Sequence, residues 1–395
     1  MGLRVLHLID SGGLYGAERM LLALVEQQIK EGLEPTILSA GEPGAGEKAI
    51  ECEARRMGLP VIPWRMKPGL NLKHARRIVN WATENGVHIF HSHGYKFNIL
   101  IGLFPKRWRT EIPLVCTLHG YVKAPRWTKM AVYEMLDRVV LKGAESVVVV
   151  DDGMRALLPA NVAASSSCLF IPNGITAVPP VAPPALPPLI QSFVKRHVFN
   201  VLAVGRLSPE KGFDVLLEAL ADQTVRLGSV GAVVVGEGRL KESLQTQAGE
   251  RGLAEHILFP GYHADAAALM PHFDALVMPS RTEGLPITVL EALRARVPIV
   301  ATRVGGLPGV LSGLPAAKLV NPDDPEDLAA SLMDIIQRKP SEEALDMSAS
   351  AFASNFSATS MATRYTEVYC SLLDGELVRG RRPRQGASLP PRKPL

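Results

Sequence analysis

Residues 199–222 read FNVLAVGRLSPEKGFDVLLEALAD, and the order of residue types in them decides the fold. An apolar run ending at Val204 suits a buried strand, and Gly205, Pro209 and Gly212 then punctuate a loop. From Phe213 the apolar residues recur at helical spacing, so the stretch is a strand, a short loop and a helix, half of a parallel βαβ unit. Downstream the rhythm continues through GAVVVG (231–236), HILFPGY (256–262), ALVMPS (275–280), PIVATRVGG (298–306) and AKLVNP (317–322), with helices such as PEDLAASLMDIIQRK between. Upstream it runs through RVLHLI (4–9), PTILSA (35–40), HIFHSH (88–93), LVCTLH (114–119) and SVVVVD (146–151), separated by helical stretches such as AERMLLALVEQQIKEG and RRIVNWATENG. The expected fold class is α/β: two Rossmann-like, doubly wound parallel-sheet domains facing a central cleft. Boundaries are expected at 1–176 for the first domain, which ends at IPNGI, and at 177–197 for a linker dense in proline (AVPPVAPPALPPL). The second domain with its terminal helices is expected over 198–375, and a disordered basic tail over 376–395.

With 395 residues, 47% of them hydrophobic, the chain can bury a large core but is too long for one ordinary domain. Its start, MGLRVLHLID, lacks the charged head, apolar middle and small-residue cleavage site of a signal peptide, which predicts a cytoplasmic protein. No apolar run approaches the roughly 20 residues that cross a bilayer. Cys52, Cys116, Cys168 and Cys370 lack metal-ligand spacing and read as reduced thiols, most of them buried. The net charge of +4 conceals an asymmetry, because residues 55–142 hold 16 basic residues, Arg76, Arg77, Lys106, Arg107 and Arg109 among them, against 4 acidic ones. Inside that span KFNILIGLFPKRWRT (96–110) interleaves aromatics, aliphatics and cations, a composition that suits an anionic membrane surface. A merely solvated basic face is the alternative. Nucleic acid is not an expected partner, since no recognised binding motif accompanies the charge.

Open parallel sheets bind ligands beyond the carboxyl ends of their strands, so the loops that follow strands are where chemistry is expected. After RVLHLID, Gly12 and Gly13 lead to Gly16 at a helix start, where backbone amides could approach a phosphate; the spacing is not that of a dinucleotide fingerprint, and a plain tight turn is the alternative. Arg206 and Lys211 offer a fork and a point charge to a diphosphate. Seventy-two residues beyond Lys211, strand ALVMPS ends in Arg281, Thr282, Glu283 and Gly284, and Pro286 suits a helix start. Glu283 in the loop and Glu291 in the helix could accept hydroxyl hydrogens from a sugar and a ribose. The local alternative is a pair of helix capping boxes, Ser280 to Glu283 and Thr288 to Glu291. Two cations and two carboxylates together point to a nucleotide-sugar site.

The run VGRLSPEKGFDVLLEAL, VVGEGRLKESL, ILFPGYHADAAALM and PSRTEGLPITVLEALRARVPIVATRVGG, with IPNG before the linker, resembles glycosyltransferase family 4 over about residues 1–375. That resemblance implies a GT-B fold and a retaining hexosyltransferase. It implies Arg206 and Lys211 at the diphosphate, Glu283 near the donor sugar, Glu291 at the ribose, and Gly284, Leu285 and Pro286 along sugar and phosphate. Gly13 would close the cleft from the other domain, His119 in CTLHGY would lie against the transferred sugar, and Gly261 and Tyr262, followed by His263, would lie near the nucleobase. His93 in HSHGYKFN ends another strand and is the acceptor-side candidate, with a purely structural histidine as the alternative.

The expected activity is metal-independent transfer of a sugar from a UDP- or GDP-sugar to a glycan or lipid-linked acceptor, in surface polysaccharide or glycolipid biosynthesis. No Asp-x-Asp triplet occurs in the chain, so no metal or other cofactor is expected, and protein cations would carry the leaving-group charge. The basic first domain would rest on the inner face of the cytoplasmic membrane. The rival readings are an epimerase or phosphorylase on the same scaffold, and a noncatalytic membrane-associated scaffold.

Overall fold

The structure is a computed structural model that describes residues 2–120, 128–176, 185–221, 229–263 and 265–378. The chain forms two compact units, one holding the segment up to Gly174 together with the helix Ala358–Val378, the other running from Ile175 to Ser357.

The first unit is built on seven strands: β1 (Arg4–Ile9), β2 (Glu34–Gly41), β3 (Val61–Arg65), β4 (Ile89–Ser92), β5 (Leu114–Leu118), β6 (Ser146–Val149) and β7 (Cys168–Phe170). All pairs are parallel, in the order β3-β2-β1-β4-β5-β6-β7. The second unit has six: β8 (Phe199–Val204), β9 (Val230–Val235), β10 (Ile257–Gly261), β11 (Ala275–Met278), β12 (Ile299–Thr302) and β13 (Ala317–Val320). These are also all parallel, in the order β10-β9-β8-β11-β12-β13. Every residue of β5 and of β9 is buried, as expected of strands covered by helices on both faces. Each order reverses beside its first strand, between β1 and β4 and between β8 and β11, where adjacent loops diverge and leave a crevice.

Three expectations are corrected. The linker over 177–197 carries a helix, Pro188–Val194, whose Pro187 and Pro188 sit at the cap and first position, where a missing N–H costs nothing. Ile190 and Phe193 of that helix are buried; residues 177–184 lie outside the described residues. The last helix, Ala358–Val378, leaves the second domain and packs on helix Gly16–Lys30 of the first unit, burying Tyr365 and Tyr369 on one face. The basic face is smaller than the charge count suggests, because Arg109 is 1% exposed and forks onto Glu145 at 3.0 and 3.1 Å. Phe97, Ile99, Leu100 and Ile101 are likewise buried. The basic tail from residue 379 onward lies outside the described residues. Cys116 and Cys168 are buried, whereas Cys52 and Cys370 are exposed, and all four are free thiols.

Candidate active site

In the second unit β8 and β11 pair directly, so the loops leaving their carboxyl ends meet at the switch point. The β8 loop tightens into a single turn, Pro209–Lys211, and ends at Gly212 with φ 63°. A side chain at Gly212 would overlap the carbonyl of Pro279 in the β11 loop, so only glycine allows the two backbones this close. Arg281 ties the loops together. Its backbone N donates to Glu210 O at 2.8 Å, and its guanidinium donates to Pro209 O at 2.7 Å, to both Asp214 carboxylate oxygens at 2.9 and 2.7 Å and to Asp323 at 2.6 Å. The Asp214 carboxylate raises the Arg281 pKa above its ordinary value, so that charge is committed to the scaffold.

On this frame Lys211 Nζ donates to Glu283 Oε1 at 2.6 Å, and Ser280 Oγ donates to the same oxygen at 2.7 Å. The Glu283 side chain is 8% exposed and that of Lys211 23%, so the pair is largely withdrawn from water. The β12 loop supports it from behind: Gly305 (φ 53°) packs against the Glu283 carbonyl, and Gly306 N donates to Gly284 O at 3.0 Å. Arg206, one residue past Gly205, is exposed. Helix Ile287–Arg294 begins after Pro286, its cap residue, with no side chain capping it, which leaves its positive end available to an anion. Neither capping box forms, since Ser280 bonds Glu283 and Thr288 already lies inside the helix. Leu285 is buried, Glu291 is partly buried on the helix, and Gly261 ends β10, with Tyr262 after it 63% exposed. The sequence therefore named four groups, three in these loops and Glu291 in the helix, of which the structure brings Lys211 and Glu283 into direct contact. It missed Ser280 and the clamp that Arg281 makes with Asp214.

In the first unit the strand ends of β1, β4 and β5 carry a buried histidine cluster. His7 Nδ1 lies 3.0 Å from His93 Nε2, and His7 Nε2 lies 2.8 Å from Gln28 Oε1. His93 Nδ1 lies 3.1 Å from His119 Nε2. His91 contacts Tyr369 OH at 2.6 Å and Thr117 Oγ1 at 2.7 Å. Burial lowers His7 and His119 to about 4 and pushes His91 and His93 well below 6.5, so the rings are neutral near pH 7. His7, His91 and His93 lie close enough to surround a cation, yet all six of their ring nitrogens are already hydrogen-bonded. His93, expected on the acceptor side, is 6% exposed with both nitrogens spent on other histidines. At the first strand's loop Gly12 has open space around it, whereas the Gly13 amide donates to Ser11 Oγ at 3.2 Å. The helix start beyond is taken by Glu18, whose carboxylate accepts the Tyr15 N–H at 3.0 Å, so the positive end expected to favour a phosphate already has its anion.

Two family profiles cover this chain: Glycosyltransferase Family 4 matches residues 15–177 and Glycosyl transferases group 1 matches residues 192–352. The chain belongs to glycosyltransferase family 4. It is 33% identical over 152 residues, 34% of this chain and 38% of the relative, to a GDP-mannose-dependent alpha-(1-6)-phosphatidylinositol monomannoside mannosyltransferase of Mycolicibacterium smegmatis. It is 30% identical over 266 residues, 66% of this chain and 65% of the relative, to a phosphatidyl-myo-inositol mannosyltransferase of the same organism. The chain thus spans between 38% and 65% of the first curated relatives it matches. Among solved structures, HepE of Anabaena in complex with UDP has a TM-score of 0.76 at 21% identity, covering 93% of this chain and 100% of its own. The family 4 chain therefore has the GT-B fold.

Proposed function

We propose that this family 4 chain is a retaining, metal-independent glycosyltransferase that moves a hexose from a UDP- or GDP-sugar to a glycan or lipid-linked acceptor. The observation that carries the reading is the Lys211–Glu283 pair at the β8/β11 switch point, beside exposed Arg206 and an uncapped helix start. A departing diphosphate gains negative charge in the transition state; Arg206, Lys211 and the amides of helix Ile287–Arg294 are the positive groups that would answer it. Glu283 positions the lysine before substrate arrives, and the diphosphate would draw Lys211 Nζ toward itself. Glu291 would accept from the ribose hydroxyls. As the anomeric C–O bond breaks, its electron pair goes to the diphosphate oxygen; the acceptor oxygen bonds the same face and its proton passes to the leaving group. Relatives named for a GDP-mannose donor and a neighbour solved with UDP support a nucleotide-sugar donor of either base. Screening UDP- and GDP-sugars by thermal shift tests this, because a ligand at 100 times its dissociation constant adds about 2.7 kcal/mol. The follow-up is nucleoside diphosphate release that requires acceptor; no stabilisation by any nucleotide or nucleotide sugar would end the reading.

Leaving-group charge met by protein cations predicts that turnover survives a chelator. Activity abolished by chelation and restored by magnesium would contradict it.

Membrane association belongs to the same proposal, now resting on different residues. Helix Lys129–Val140 exposes Met130, Val132, Met135 and Val139, and Gly102 sits against Val140, which sets exposed Leu103 beside that helix. Exposed Trp108 lies between Arg107 and the buried Arg109, in the turn that also carries Lys106. An apolar patch beside cations fits an anionic bilayer. Met135→Asp with Val139→Asp is expected to lower binding to phosphatidylserine vesicles about tenfold or more. Each basic residue near the surface adds about 1 kcal/mol, so binding should also fade with salt. Unchanged or salt-independent binding would remove the membrane part while leaving the transferase part standing.

A further inference from the structure

The histidines of the first unit form one connected chain whose polarity can be followed from end to end. Gln28 Oε1 only accepts, so His7 donates from Nε2 to it across 2.8 Å. A neutral imidazole carries a single N–H, so His7 Nδ1 is an acceptor, and His93 Nε2 donates to it across 3.0 Å. By the same step His93 Nδ1 accepts, and His119 Nε2 donates across 3.1 Å. The chain ends at His119 Nδ1, a buried lone pair that no group among the described residues satisfies. A buried acceptor left open costs stability, on the order of 1–3 kcal/mol, unless something arrives to fill it.

The orientation of the Gln28 amide sets the direction of every bond. Its Nε2 donates to Tyr369 OH at 3.3 Å, that hydroxyl lies 2.6 Å from His91 Nδ1, His91 Nε2 lies 2.7 Å from Thr117 Oγ1, and Thr117 Oγ1 lies 3.0 Å from Tyr365 OH. With the amide turned over, the whole chain would reverse and His119 would present a donor instead. Every ring of the chain from Gln28 to His93 is fully buried or nearly so, at 0 to 6% exposure, so water does not compete for these positions.

We propose that Gln28, His7 and His93 are positioning residues that hold His119 protonated on Nε2, leaving Nδ1 as a bare acceptor for a hydroxyl of the transferred sugar. This rests on the transferase reading above for the identity of the ligand, but not for the proton positions. His119 is then a neutral hydrogen-bond acceptor in the reaction. Its single proton is committed to His93, so it neither protonates the leaving group nor carries positive charge.

The test has two arms on the full-length protein. Histidine-labelled wild-type chain, without substrate, is expected to show His119 with its proton on Nε2 in long-range nitrogen–proton correlation spectra; a proton on Nδ1 overturns the proposal. In the second arm His93→Leu removes the acceptor for His119, whereas the Asn carbonyl in His93→Asn can stand in for Nδ1. Expected for His93→Leu are both His119 tautomers and a kcat lower by about tenfold or more, with UDP and GDP affinity held within about twofold. His93→Asn is expected to recover about fivefold or more of that kcat and the single tautomer. Equal kcat in wild type and His93→Leu, or loss in kcat and nucleotide affinity together, would mean a merely structural role. If wild type transfers no sugar at all, the transferase reading fails, and the tautomer spectra still decide the relay.

Discussion

Lys211→Ala is expected to lower turnover by about 10² to 10³, the loss that follows removal of one fixed electrostatic stabiliser. Lys211 Nζ is held 2.6 Å from Glu283 on loops pinned by Gly212 and by the Arg281 clamp, so its charge has a set place in the site. The substitution also strands Glu283, whose side chain is 8% exposed and would keep only the Ser280 hydroxyl among the described residues. Stranding a wholly buried carboxylate costs about 3–5 kcal/mol, and the partial exposure of Lys211 brings the expectation here to about 2 kcal/mol. Stability and turnover can be separated. The double variant Lys211→Met with Glu283→Gln removes the stranded charge and is expected to recover most of the thermal midpoint, while turnover stays about 10²-fold or more below wild type. A double variant that regained both would assign Lys211 to the scaffold and leave the leaving group without its cation.

The urea midpoint of the wild-type chain is expected to fall steeply between about pH 6.5 and about pH 5. His7 and His119 titrate at about 4 in the folded chain because burial disfavours the imidazolium, against an ordinary 6.5. Below about pH 6.5 the unfolded chain takes up protons that the folded chain refuses, so stability is full above that value and drains as pH falls toward 4. Each of these two rings then removes roughly 2 kcal/mol at pH 5, and His91 and His93, shifted the same way by burial, add to the loss. Carboxyls with lowered pKa, such as Asp10 and Asp214, lose their contribution only below about pH 4, so the window from 5 to 6.5 belongs to the histidines. A midpoint that stays level across that window would mean the cluster accepts protons when folded, and with it the neutral relay would fall.

Much of this was legible in the chain, and the failures have physical reasons. All six strands of the second unit read correctly because buried parallel strands are nearly continuous runs of Val, Ile and Leu. In the first unit β3 was missed: it contains Pro63, a residue tolerated only because β3 is the sheet edge. β7 was missed because it has only 3 residues. The return of helix Ala358–Val378 to the first unit could not be read from neighbouring sequence, since its partners Gln28, His91 and Thr117 lie hundreds of positions away. The basic span was overread because composition does not separate the apolar residues of 97–101, which fill the core, from those of helix Lys129–Val140, which face out. At the site, Lys211 and Glu283 stood out by charge type in loops after strands, whereas Arg281 looked like one more loop cation until Asp214 and Asp323 closed on it. The histidines lie on separate strands and loops, and a network of neutral rings leaves no pattern of charge or spacing in the sequence.

The measurement that bears most directly on the nucleotide-sugar site is a crystal structure of the chain with UDP or GDP. Expected are diphosphate oxygens within about 2.7–3.2 Å of the Arg206 guanidinium and of Lys211 Nζ, with the ribose hydroxyls on Glu291. A nucleotide seated elsewhere, with Arg206 in water and Lys211 still closed on Glu283, would contradict the proposed site.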